Sequence, residues 1–135
     1  ALIMAWESNG QSIIITLTAN ADLSSSQYYF VEIDADGKVG VCNAVTDRPI
    51  GVLQNAPDAS GKAATVMVVG ISKISSNAAL DENNLIGPSL DGQADKKIPG
   101  TDTSEFICGT MLTATGGAGE VGTAAINCAS PARAA

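Results

Sequence analysis

Ala63-Ala64-Thr65-Val66-Met67-Val68-Val69-Gly70-Ile71-Ser72-Lys73-Ile74-Ser75 is the stretch on which the fold turns. Its first seven residues are, Met67 apart, small or β-branched, and the run is apolar on both faces. That pattern belongs to a strand covered on both sides, inside the domain or at a subunit contact. Gly70 reads as a bulge. Ile71 to Ser75 then alternates apolar and polar residues, the period of a half-buried strand.

Upstream, Ile50 to Gln54 forms a hairpin with Ala63 to Val69, closed by Pro57-Asp58-Ala59-Ser60-Gly61. Before it, Tyr28 to Asp34 and Lys38 to Asn43 flank Asp36-Gly37, a pair whose positive φ preference makes a tight hairpin turn. Val45 to Pro49 turns the chain, and Ala19 to Gln27 is polar and loop-like. Ser12 to Thr18 is β-branched and reads as a strand. Residues 1–11 form an arm holding the single Trp.

Downstream, Ala78 to Asn84 reads as one helical turn or a loop. Leu85 to Leu90 carries Pro88, which predicts an edge strand. Asp91 to Ser104 is polar and turn-rich. Phe106 to Thr113 and Glu120 to Cys128 make a last hairpin, and Ala129 to Ala135 reads as a frayed tail.

The stretch at 63–75 also marks a seam. Ile14, Asn20, Ala21, Leu23 and Asp34 recur 57 positions on as Ile71, Asn77, Ala78, Leu80 and Asp91. Gly51, Ala56, Gly61 and Thr65 recur 58 positions on as Gly109, Ala114, Gly119 and Thr123, with one residue gained between Asp91 and Cys108. Apolar positions follow: Leu17 with Ile74, Tyr28 with Leu85, Ile33 with Leu90, Leu53 with Met111, Val68 with Ile126. The expectation is an internal repeat, residues 12–69 and 70–128, in one β domain between the arm and a tail at 129–135. The fold class is all-β and mainly antiparallel. Two similar β units form a small sandwich or barrel, with at most one or two short helices and an extended N-terminal arm.

Seven basic against fourteen acidic residues leave a formal charge of −7. That argues against nucleic acid, whose phosphates need clustered Lys or Arg, and against anionic membranes. No stretch reaches a membrane-spanning length, and the apolar start Leu2-Ile3-Met4-Ala5-Trp6 lacks the basic leader of a secretory signal. Cys42, Cys108 and Cys128 have neither disulfide-framework nor zinc-site spacing and read as buried thiols. Cys108 and Cys128 flank the last predicted hairpin.

The chain has no histidine, the commonest general base and zinc ligand. Asp34-Ala35-Asp36-Gly37 lacks the further ligands of a calcium loop and reads as a turn. Asp81-Glu82-Asn83-Asn84 reads as a solvated acidic loop. Gly116-Gly117-Ala118-Gly119 has no following helix to face a phosphate. Ser72-Lys73 shows no spacing that picks out a nucleophile and its base. The expectation is no enzyme, no cofactor and no metal site. The candidate contact residues are Leu2, Ile3, Met4 and Trp6, a cluster suited to docking on a neighbouring subunit or larger partner.

Ile50-Gly51-Val52-Leu53-Gln54-Asn55-Ala56, a short Pro/Gly turn, and Gly61-Lys62-Ala63-Ala64-Thr65-Val66-Met67-Val68-Val69-Gly70 resemble the capsid decoration (cement) proteins of tailed phages. The turn Ala35-Asp36-Gly37-Lys38-Val39 and the passage from Asn77-Ala78-Ala79-Leu80 through Gly87-Pro88 to Asp91-Gly92 fit the same pattern. The resemblance covers roughly residues 19 to 128. It implies a homotrimer, made in the bacterial cytoplasm, that binds the major capsid protein on the outer surface of the virion head. It implies no chemistry.

Two rival readings remain. One is a carbohydrate-binding or adhesion module of a phage or cell surface, with Trp6, Tyr28 and Tyr29 as platform candidates, although Tyr28-Tyr29-Phe30 in a strand cannot put all its rings on one face. The other is a small β-barrel enzyme using Glu32, Asp34 and Asp36 as acids.

Overall fold

The computed structural model describes residues 12–135. Eleven strands follow in order: β1 (Ile13–Thr18), β2 (Phe30–Ile33), β3 (Val39–Val41), β4 (Gly51–Leu53), β5 (Ala63–Ser75), β6 (Leu85–Pro88), β7 (Ala94–Lys96), β8 (Phe106–Ile107), β9 (Gly109–Met111), β10 (Val121–Asn127) and β11 (Ala132–Arg133). Every strand pairing is antiparallel, and no helix occurs among the described residues. The chain is all-β. Residues 78–84 form a loop in which Leu80 bridges Thr115 and Glu82–Asn83 turn.

β5 is the hub because it is long and two-sided. Its first half pairs with β1 on one edge and β4 on the other. Its second half pairs with β10. The sheet continues outward as β4-β2-β3 and as β10-β9-β6-β7. Each half curls into a half-barrel drawn together by one parallel bridge, Ala19 to Val39 and Ser76 to Ala94. β4 can approach β5 closely because residue 51 is glycine: a Cβ there would sit 2.3 Å from the Met67 carbonyl oxygen.

The bulge expected at Gly70 lies elsewhere. Ile13 pairs with Val69 and Ile14 with Met67, so Val68 is the extra residue. Gly70 instead admits the Ser12 side chain, whose Oγ lies 2.7 Å from where a Cβ would stand.

The two half-barrels share most of their strand pairing. Ile14–Met67 through Thr18–Ala63 is matched by Ile71–Ala125 through Ser75–Val121. Val52–Met67 is matched by Thr110–Ala125, and Val31–Val41 by Ile86–Lys96. β5 therefore serves as the last strand of the first unit and the first strand of the second.

The loops agree as well. Asp34 Oδ1 accepts from the Asp36 amide as Ser89 Oγ accepts from the Asp91 amide. Gly37 (φ 75°) matches Gly92 (φ 81°), and Tyr28 (φ 68°) matches Asn83 (φ 69°). These matches correct the alignment of β2 and β3 with β6 and β7. The spacing there is 55, so Asp34 corresponds to Ser89, and Phe30, not Tyr28, to Leu85. The second unit loses two residues between Leu80 and Asn83 and gains three between Lys96 and Gly109.

Two apolar clusters fill the molecule. One lies inside the first half-barrel: Ala19, Leu23, Val31, Val39, Leu53, Ala64 and Val66. The other joins the second half-barrel's interior, including Ile74, Leu80, Ile86 and Met111, to the outward side of the first unit through Phe30, Cys42, Val52 and Met67. Alternation along β2 makes this possible, since Phe30 and Val31 point into different clusters.

Three local expectations are revised. Pro88 does not sit on an edge strand: β6 lies between β9 and β7, with Pro88 at its last position. The tail is anchored, because β11 pairs with β8 and Ala134 is fully buried. The polar segment 91–104 contains β7 and then Lys97, whose buried ammonium donates to the Pro88 carbonyl (2.8 Å) and pairs with Glu105.

Candidate interaction surface

Leu2, Ile3, Met4 and Trp6 lie outside the described residues. The described residues begin at Ser12, which runs directly into β1. Among the described residues β1 pairs with β5 alone, so its outer edge has no strand partner among them. Along β1, Ile15 and Leu17 pack on the first core cluster while Ile14, Thr16 and Thr18 face outward. Ile13 and Ile14 are 53% and 51% exposed. Ile71, half-exposed on β5, follows the glycine against which Ser12 packs. Three isoleucines thus stand exposed on β1 and on the strand it pairs with, where the described residues begin. Burying such side chains would contribute roughly 25 cal/mol per Å² of apolar area.

The acids singled out by sequence do not converge as a set. Asp34 closes its hairpin turn, accepting from the amides of Asp36 and Lys38 (both 2.9 Å) and from the Asn20 side chain (3.1 Å). The Asn20 amide and the Lys38 backbone hold its carboxyl below the ordinary range. Asp36 is exposed. Glu32 turns instead toward Cys42 and Asp47, and the ligand atoms of the three lie within 4.8 Å of one another.

Cys42 is fully buried there, while Glu32 and Asp47 are half-buried. Burial, and then the Asp47 carboxylate, push the Glu32 carboxyl up. Burial, then Glu32 and Asp47, push the Cys42 thiol up strongly. One Asp47 oxygen is already used, accepting from the amides of Asn43 and Ala44 (2.9 and 3.0 Å). Sequence reasoning missed this grouping because it joins adjacent strands and a loop across a hairpin. The signal it held was the Asp36-Gly37 turn, which sets β2 and β3 side by side.

Cys108 and Cys128 lie together: the Asn127 amide donates to the Cys108 carbonyl, and the neighbouring Cys108 thiol, with burial, drives the Cys128 thiol upward. Ser72 is buried, its hydroxyl donating to the Lys73 carbonyl and accepting from Gln54, while Lys73 points away over the Tyr28 ring. They form no dyad. Asp81 and Glu82 remain solvent-exposed. Tyr28 packs partly against the second core cluster beneath the Lys73 ammonium. Its ring is therefore not a free platform for a sugar.

No family model and no curated protein sequence matches the chain. Among solved structures, the chain is similar to the N base of head fiber gp8.5 of bacteriophage phi29. The likeness has a TM-score of 0.61 at 16% identity and covers 87% of this chain and 96% of that one. At that identity it establishes a shared fold.

Proposed function

We propose that this chain is a non-enzymatic structural protein of a tailed-phage head. It docks on the outer surface of the shell and ties neighbouring subunits of the major capsid protein together as a homotrimer. The observation that carries this reading is the shared fold with a head-fiber base over nearly the whole of both chains. The resemblance of residues 19 to 128 to decoration proteins supports it from an independent direction. The β1 edge, unpaired among the described residues, with Ile13, Ile14 and Ile71 exposed, supplies a surface suited to protein contacts.

The physics of such a clamp is multiplicity. A rigid trimer that has made one contact with the shell makes the next at a high effective concentration, so modest contacts sum to tight attachment. Acidic residues suit the solvent-facing side.

The test is mass in solution by light scattering, together with co-sedimentation with empty, expanded heads of the phage whose genome encodes the chain. The expected outcome is a trimer that pellets with heads, and weaker binding or trimerisation after deletion of residues 1–8. A protomer that stays single and remains in the supernatant refutes the reading.

A further inference from the structure

We propose that Glu32, Cys42 and Asp47 form a binding site for one divalent cation of borderline softness, of the zinc class, in the first half-barrel. The internal repeat supplies the comparison. Cys42 and Lys97 occupy the same backbone position, since the Cys42 amide donates to the Phe30 carbonyl as the Lys97 amide donates to that of Leu85. Glu32 and Gly87 correspond through their pairing with Gly40 and Asp95. Asp47 and Glu105 correspond, each three residues before the amides of Ile50 and Cys108, which donate to Val31 and Ile86.

In the second unit the site therefore reads Gly87, Lys97, Glu105. Its centre is a buried ammonium on a carboxylate. The glycine makes room for it, since a Cβ at residue 87 would lie 2.9 Å from the Lys97 stem.

In the first unit the same three positions read Glu32, Cys42, Asp47. The lysine has become a short, buried thiol, and the glycine has become a second carboxylate. The cation present in one unit is gone from the other, while the number of anionic ligands has doubled. The Cys42 sulfur is fully buried and lies within 4.8 Å of a carboxylate oxygen of each of Glu32 and Asp47.

A thiolate and two carboxylates are three ligands of the kind zinc accepts, with water completing a tetrahedron. Binding would displace the Cys42 proton to solvent as the metal–sulfur bond forms. Glu32 and Asp47 are half-buried, so solvent reaches both residues. The thiol disfavours the hard cations magnesium and calcium.

The experiment is titration of chelator-stripped full-length protein with Co²⁺, read by thiolate-to-cobalt charge-transfer absorption, then displacement by Zn²⁺. The expected result is one ion per chain, with the band abolished in Cys42→Ser and retained in Cys108→Ser and Cys128→Ser. Glu32→Gln, at a half-exposed position, should weaken binding at least tenfold while the protein stays folded. Bound Zn²⁺ should also slow alkylation of Cys42, read by peptide mapping. The double variant Glu32→Gly/Cys42→Lys, which copies the second unit, should fold and take no metal. Absence of a charge-transfer band in wild type, or binding unchanged by both Cys42→Ser and Glu32→Gln, overturns the proposal.

Discussion

Replacing Glu105 by Ala should be among the most damaging single changes in this protein outside its apolar core. The Lys97 side chain is 0% exposed and Glu105 16% exposed. Without Glu105, the ammonium keeps only the Pro88 carbonyl as a protein partner. Removing one member of a buried ion pair costs about 3–5 kcal/mol, because an uncompensated charge is left behind. Glu105 has some access to water, and water entering its place would partly solvate Lys97, so the lower end, about 3 kcal/mol, is expected. At this chain length roughly 3 °C of Tm accompany each kcal/mol, which makes the expected drop about 9 °C. Calorimetry and urea unfolding at one fixed protein concentration measure it, since oligomerisation would otherwise shift the midpoint. Lys97→Met with Glu105→Leu should recover most of the loss, because an apolar pair of similar volume carries no buried charge. A Glu105→Ala protein within 0.5 kcal/mol of wild type would refute the reasoning, as would a double variant no more stable than the single one.

Two further outcomes follow from the geometry. Gly92→Ala should cost about 2–4 kcal/mol, combining a left-handed φ with a Cβ forced within 2.4 Å of Val41. Gly37→Ala, at a similar φ but in open space, should cost only about 1–2 kcal/mol, and urea unfolding of both variants checks the difference. Ile14→Lys combined with Ile71→Lys should leave far-UV circular dichroism unchanged, with each surface change within about 0.5 kcal/mol, yet shift the protein toward monomer in analytical ultracentrifugation. An undiminished trimer in that variant would remove β1 from the interface.

The all-β class could be read from the chain because its signals are local. Strict alternation at Ile71 to Ser75, β-branched runs at Ser12 to Thr18 and Ala63 to Val69, and Asp36-Gly37 each specify extended backbone or a turn within a few residues. Errors arose where tertiary context overrode local preference. Pro88 read as an edge signal, yet the last position of β6 needs no amide there. Ala129 to Ala135 read as frayed because small residues carry little information, and Ala134 is buried only through the pairing of β11 with β8. The spacing of 55 across β2 and β3 was hidden because strand register is set by hydrogen bonds, while the few identical residues favoured 57.

The candidate sites divide in the same way. Leu2, Ile3, Met4 and Trp6 stand out in the sequence by their apolar character alone. Ile13, Ile14 and Ile71 look like ordinary core positions, and only the folded structure shows that they face water. Local dihedral preference and side-chain alternation thus determined, from sequence alone, that this chain builds antiparallel β-sheet. Which strands meet, which isoleucines stay wet, and that Glu32 faces Cys42 and Asp47 were decided by long-range pairing around β5, because contacts between residues distant in the chain leave no local pattern to read.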